Sequence, residues 1–104
     1  MSYIAVIFTS TRRDSDHEEY ATWSHLMSEM VREILGFLDS DSFRDPETRE
    51  GVTIAYFENE EAVKRWREVS EHQEAQQLGR EKFYGEYRVR IARVEREYDW
   101  KRPN

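Results

Sequence analysis

The sequence predicts an α+β domain that runs strand, helix, strand, strand, helix, strand. Three observations carry that reading. Two short runs, YIAVIFT at 3–9 and VTIAYF at 52–57, have the β-branched and aromatic content of buried strands. Two longer segments repeat apolar residues at alternating steps of three and four, which is one face of a helix. Punctuating residues, Gly36, Pro46 and Gly51, fall between the periodic segments.

Taken in order, residues 3–9 form the first strand, and TRRDSD is the polar turn after it. Ser15 with Glu18 has the spacing of a capping box, and Asp16 with Glu19 offers a second register. Tyr20, Trp23, Met27, Met30 and Ile34 then make one apolar stripe, which Gly36 ends as a left-handed cap. FLDSDSFR, residues 37–44, is a weaker strand with few apolar positions. DPETREG is the hairpin turn before the strand at 52–57. Asn59 caps the second helix, Glu60 and Glu61 sit at its positive end, and Ala62, Val63, Trp66 and Val69 face inward. Helical character continues to about Arg80, with room for a break near Ser70, and a long last strand spans Tyr87 to about Glu97.

This order is the split βαβ pattern of a ferredoxin-like fold, βαββαβ, with two helices on one face of an antiparallel sheet. Residues 1–104 are read as a single domain. The last strand changes phase: Tyr87, Val89 and Ile91 share one face, whereas Val94, Tyr98 and Trp100 take the other. Either a bulge near Ala92 or a strand that passes into a partner subunit accounts for the change.

Charge and composition remove several function classes. A net charge of −6 repels a phosphate backbone, so nucleic acid is not an expected partner. Arg88, Arg90, Arg93 and Arg96 are interleaved with Glu86, Glu95 and Glu97, which makes the segment mixed rather than basic. The absence of cysteine excludes disulfides and thiolate chemistry and fits a cytoplasmic location. No apolar run approaches a membrane span, and the basic residues near the start follow the apolar run, the wrong order for a secretory signal. The four glycines are isolated, so no phosphate-binding loop is present. His17 and His25 lie eight residues apart without H-x-x-x-H spacing, and no metal site is expected from them.

One stretch carries candidate chemistry. Val69, His72, Gln76, Gly79 and Phe83 recur at steps of three and four, so a continuing helix puts His72 and Gln76 on an apolar face beyond Trp66. Greasy surface with a few fixed polar groups is what a pocket wall requires. The same pattern also fits an ordinary amphipathic surface helix carrying Glu71, Glu74, Arg80 and Glu81. Tyr3, Phe8 and Tyr56 read first as core, although strand side chains facing the helices would floor such a pocket.

The segments GFL (36–38), GVTIAYFENEEAVKRWRE (51–68) and EHQEAQQLGREKFYGEYRVRIARVERE (71–97) resemble the antibiotic-biosynthesis monooxygenase family. The resemblance implies a homodimer whose ferredoxin-like sheets pair into an α+β barrel, with the last strand of each subunit contacting the other. It also implies a cavity between sheet and helices for a small aromatic or apolar ligand. Some members oxidise aromatic substrates with molecular oxygen and no cofactor, and others degrade haem. Trp66 matches the tryptophan shared by both branches. The haem-degrading branch adds an asparagine on the first strand and a histidine ten residues beyond the tryptophan. Here the first strand has Phe8 and Thr9, the residue ten beyond is Gln76, and His72 is only six beyond, so haem is disfavoured and no cofactor is expected. For the cofactor-free branch the resemblance implies His72 as the base, histidine being suited to proton transfer near neutrality. Arg80 or Tyr84 would stabilise developing enolate charge, with Tyr84 and Tyr87 as alternates for either task. Trp66, Gln76, Tyr56, Phe83 and Tyr87 would contact the substrate. The expected activity is therefore a cofactor-independent monooxygenase, with a non-catalytic ligand-binding dimer as the alternative.

Overall fold

The computed structural model describes residues 2–72 and 79–104. Its elements are β1 (Tyr3–Arg12), α1 (His17–Arg32), β2 (Phe37–Arg44), β3 (Glu50–Phe57), α2 (Glu60–His72) and β4 (Tyr84–Val94), with one π-helical turn, Gly79–Phe83, leading into β4. The strands form an antiparallel sheet in the order β2-β3-β1-β4, and both helices lie on one face. This is the ferredoxin-like arrangement that the element order predicts.

Alternation along the strands decides what the helices cover. Ile4, Phe57 and Ala55 point to the helices and meet Val31 of α1 and Ala62 and Val63 of α2 in one buried cluster. Phe37 packs edge-on against Phe57, ring centroids 5.8 Å apart. Gly36 sets the distance between the helices here. Its φ is +94°, and a Cβ on it would lie 2.7 Å from the Ala62 Cβ. The Gly36 carbonyl accepts from Glu58 N at 2.8 Å, and Arg65 Nη1 donates to the Leu35 carbonyl at 3.0 Å, so the end of α1 is tied to the start of α2. Asn59 caps α2 as expected, its Oδ1 accepting from Ala62 N at 3.0 Å.

A second core, aromatic and cationic, sits at the other end of the sheet. Phe83 is fully buried, with Trp23 at 5.0 Å and Tyr20 at 5.5 Å between ring centroids. The guanidinium of Arg12, only 4% exposed, donates to the carbonyls of Phe83 and Ser15 and lies 3.9 Å over the Tyr20 ring. Burial lowers the Arg12 pKa, partly offset by Tyr20 and Tyr84, yet the guanidinium keeps its charge. Arg44 reaches the same region across Gly51, its partner in β3. Its Nη2 donates to Ser10 Oγ at 2.8 Å, and a Cβ on Gly51 would lie 2.7 Å from the Arg44 Cζ. Tyr84 packs among these groups, and burial first, then Tyr20, pushes its phenol pKa well above the ordinary value.

Three sequence expectations need correction. Neither Ser15 nor Asp16 caps α1 with its side chain. Asp16 adopts a left-handed conformation (φ 55°, ψ 38°), and Ser15 Oγ is buried with no hydrogen-bond partner among the described residues. The last strand begins three residues earlier than expected and ends at Val94. Its irregularity lies between Thr11 and Arg12 of β1, opposite Gly85, and not near Ala92, which faces Ala5 in regular register. The bulge falls there because Arg12 turns inward to reach the Phe83 carbonyl.

Two stability predictions follow from these packings. Gly36→Ala combines left-handed strain with a clash against Ala62, and should cost roughly 2–4 kcal/mol in denaturant unfolding. An unchanged midpoint would show that the helices part at no cost. Tyr84 is held neutral in the folded chain, so above pH about 10 the unfolded chain loses that proton first and stability falls as pH rises. Tyr84→Phe should flatten this alkaline loss, measured as unfolding free energy between pH 8 and 11; identical slopes for the two proteins would contradict the assignment.

Candidate functional site

Between the sheet and the helices lies a cavity of about 760 Å³. Its floor is the helix-facing positions of all four strands: Val6 and Phe8 of β1, Ser40 and Ser42 of β2, Thr53 and Ala55 of β3, and Tyr84, Tyr87, Val89 and Ile91 of β4. α1 contributes Tyr20, Trp23, Met27 and Val31 with the small residues Ala21, Ser24 and Ser28; α2 contributes Val63, Trp66, Arg67 and Ser70. The cavity exists because β2 and β3 place serine and threonine here where an apolar core would need large side chains. Ser42 Oγ and Thr53 Oγ1 satisfy each other at 2.8 Å. A second groove of about 860 Å³ lies at one end of the sheet and is lined by Thr9, Thr11, Val52, Arg88 and Glu86 among others; it lacks the convergent aromatic wall.

The wall near Tyr84 is aromatic and electropositive. Phe8 stacks on Tyr87 at 5.3 Å and meets Tyr84 edge-on at 5.2 Å, and Tyr20 is edge-on to Tyr84 at 5.9 Å. Behind these rings, the Arg44 guanidinium lies 5.9 Å from the Tyr20 ring and 6.0 Å from the Tyr84 ring. Burial first, and then Tyr20, raises the Tyr84 pKa, which favours the neutral phenol.

The residues singled out from sequence divide clearly. Trp66, Tyr84 and Tyr87 line the cavity. Arg80 is exposed and touches the site at second hand, its Nη1 donating to the Tyr87 hydroxyl at 3.2 Å. Phe83 does not line the cavity: it is fully buried behind Tyr20 and Trp23 because the π-helical turn points it into the core. Tyr56 lies on the opposite face of the sheet, edge-on to Tyr3 at 5.8 Å, because Ala55 and Phe57 take the helix-facing positions beside it. Gln76 lies outside the described residues, as does the side chain of His72 at the end of α2.

Sequence reasoning missed the contribution of α1. Its stripe of Tyr20, Trp23 and Met27 reads as core, but Ser24 and Ser28 sit beside it one turn apart, a signal that part of this face is not close-packed. His25 also lines the cavity, with Nε2 3.0 Å from Glu29 Oε1. His17 instead joins Asp14 at 3.1 Å and Arg12 at 3.3 Å at the start of the helix. Among the described residues no group of three His, Asp or Glu side chains converges as a metal site, and no helix is long and apolar enough to cross a membrane.

Comparison with known proteins places this architecture. Residues 2–78 match the sequence profile of the antibiotic biosynthesis monooxygenase family. The chain is 36% identical over 95 residues to the uncharacterised protein YqjZ of Bacillus subtilis, covering 91% of this chain and 82% of that protein. It is 26% identical over 92 residues to a jasmonate monooxygenase of Pyricularia oryzae, covering 86% of this chain but only 42% of that longer protein. Among solved structures, SnoaB from Streptomyces nogalater, a cofactor-independent oxygenase, superimposes with a TM-score of 0.76 at 11% identity over 91% of this chain and 95% of its own, a likeness of fold. By the profile match and the Bacillus relative, this chain belongs to the antibiotic biosynthesis monooxygenase family.

Proposed function

We propose that the chain is a cofactor-independent monooxygenase that oxidises a small aromatic or quinol-like substrate with molecular oxygen. The observation that carries the reading is the cavity itself: about 760 Å³, walled by Phe8, Trp23, Trp66, Tyr84 and Tyr87, within the size range of small-molecule sites. The relatives named monooxygenase or oxygenase support the reaction class. In the simplest case a ring methylene becomes a carbonyl. The base takes one proton, the carbanion delivers electrons to oxygen, one oxygen atom stays on carbon, and the other leaves as water with the methylene hydrogens. The substrate supplies all four electrons, so no other reductant is required.

In this scheme the Tyr84 hydroxyl donates to the enolate oxygen, against a wall made positive by Arg12 and Arg44. Arg80 acts through its bond to the Tyr87 hydroxyl and is a positioning residue. The base is an imidazole, either His72 near the end of α2 or His25 on the cavity wall, where Glu29 holds Nε2 and leaves Nδ1 to accept the proton. Oxygen uptake with a panel of anthrones and hydroquinones tests this. Replacing the operative histidine by Ala should lower kcat about 10²-fold, and full turnover in both His25→Ala and His72→Ala would remove imidazole from the mechanism. Tight ligand binding without oxygen uptake would make the chain a carrier.

We also propose a homodimer formed through the uncovered face of the sheet. Ile7, Ile54, Val52 and Tyr56 make an apolar centre, with Asp39 and Asp41 on the β2 edge and, on the β4 edge, Arg88 and Arg90 with Glu86 near the start of the strand. A two-fold axis parallel to the strands brings the acidic edge of one copy over the basic edge of the other, whereas a perpendicular axis opposes like charges. Sedimentation should give a dimer that Asp41→Arg weakens and Asp41→Arg/Arg90→Asp restores. A wild-type monomer, or a double variant no better than the single, would defeat this arrangement.

A further inference from the structure

The charged side chains that line the cavity are opposite in sign to the net charge of the chain. The protein carries 22 acidic against 16 basic side chains, yet among the described residues no aspartate or glutamate lines the cavity. The described ionisable groups that line it besides tyrosines are His25 on α1 and Arg67 on α2, both exposed and therefore at its mouth. His25 is engaged by Glu29 at 3.0 Å, which leaves Arg67 as the fixed positive charge that the described residues hold at the opening. At the inner end, Arg12 and Arg44 stand behind the Tyr20 and Tyr84 rings. A low-dielectric cleft lined by one sign of charge concentrates ligands of the other sign.

We infer that the cavity takes an amphipathic monoanion: a flat apolar body against the aromatic wall, and a carboxylate at the mouth against Arg67. This inference rests on the proposed small-molecule site and adds the charge of its ligand. The apolar body is set by Val6, Phe8, Trp66, Val89 and Ile91, which surround it with apolar surface. The carboxylate is set by guanidinium geometry, which receives two oxygens side by side. Ser70, one turn from Arg67 on the cavity side of α2, has its hydroxyl committed to the Arg67 carbonyl at 3.0 Å, so the guanidinium is the donor this part of α2 presents to an anion.

The test compares 2-naphthoate with 2-naphthamide, which has nearly the same shape without the charge. Binding is read from quenching of tryptophan fluorescence and checked by calorimetry. Naphthoate should bind about tenfold more tightly than the amide. Arg67→Gln should abolish that preference and leave amide binding unchanged, while Arg67→Lys, which keeps the charge but not the paired donors, keeps only part of it. Equal binding of the two probes to the wild type overturns the charge assignment and leaves the apolar site standing. Weakening of both probes alike by Arg67→Gln overturns it in the same way. Failure of both probes to bind the wild-type chain overturns the assignment together with the site on which it rests.

Discussion

The buried guanidinium of Arg12 is the interaction on which the cavity-bearing half of the molecule depends. It joins the end of β1 to the carbonyls of Ser15 and Phe83, and so fixes both the entry of α1 and the start of β4. A desolvated charge is costly unless its donors are used and its field is answered. Here carbonyl oxygens and the Tyr20 ring answer it without a carboxylate in direct contact among the described residues. Phe83 is thereby drawn into the core, and Tyr84, one residue on, is turned toward the cavity. The same charge keeps the wall behind Tyr84 electropositive, so one arginine serves both the packing and the electrostatics of the cavity wall.

The opposite half of the fold is held by shape. Gly36 lets the end of α1 sit against Ala62, and the small apolar cluster of Ile4, Val31, Ala55, Phe57 and Val63 closes beneath it. The two halves have different tasks. One is close-packed and fixes the distance between helices and sheet. In the other, Ser40, Ser42 and Thr53 stand on the sheet where large side chains would fill the space, and the hollow remains. A chain this small has little core to spare, so the cavity is offset by concentrated aromatic packing around Phe83.

Charge is divided between the two faces of the sheet in a way that composition conceals. On the helix side, the described acidic groups are kept off the cavity lining. On the other side, Asp39 and Asp41 lie along the β2 edge and Arg88 and Arg90 along the β4 edge, with Glu86 near the start of β4, around an apolar centre. A net charge of −6 describes neither face. Recognition of a ligand and recognition of a second copy would thus draw on separate charge patterns, each made by strand alternation.

Local physics determined the element order, the ferredoxin-like arrangement, the Asn59 cap, the left-handed Gly36 and the inward turn of Trp66. Each of these follows from period, propensity or backbone sterics within a few residues. The resemblance read from residues 36–97 further pointed to Tyr84 and Tyr87 as site residues. Tertiary structure alone decided which aromatic groups face a hollow and which fill a core. Phe83 and Tyr56 stand beside Tyr84 among the expected site residues, but one is consumed by the Arg12 cluster and the other alternates to the far face. The bulge opposite Gly85 and the contribution of α1 were likewise settled by contacts between distant segments, because a cavity is a property of what fails to meet across space, and no local pattern encodes that.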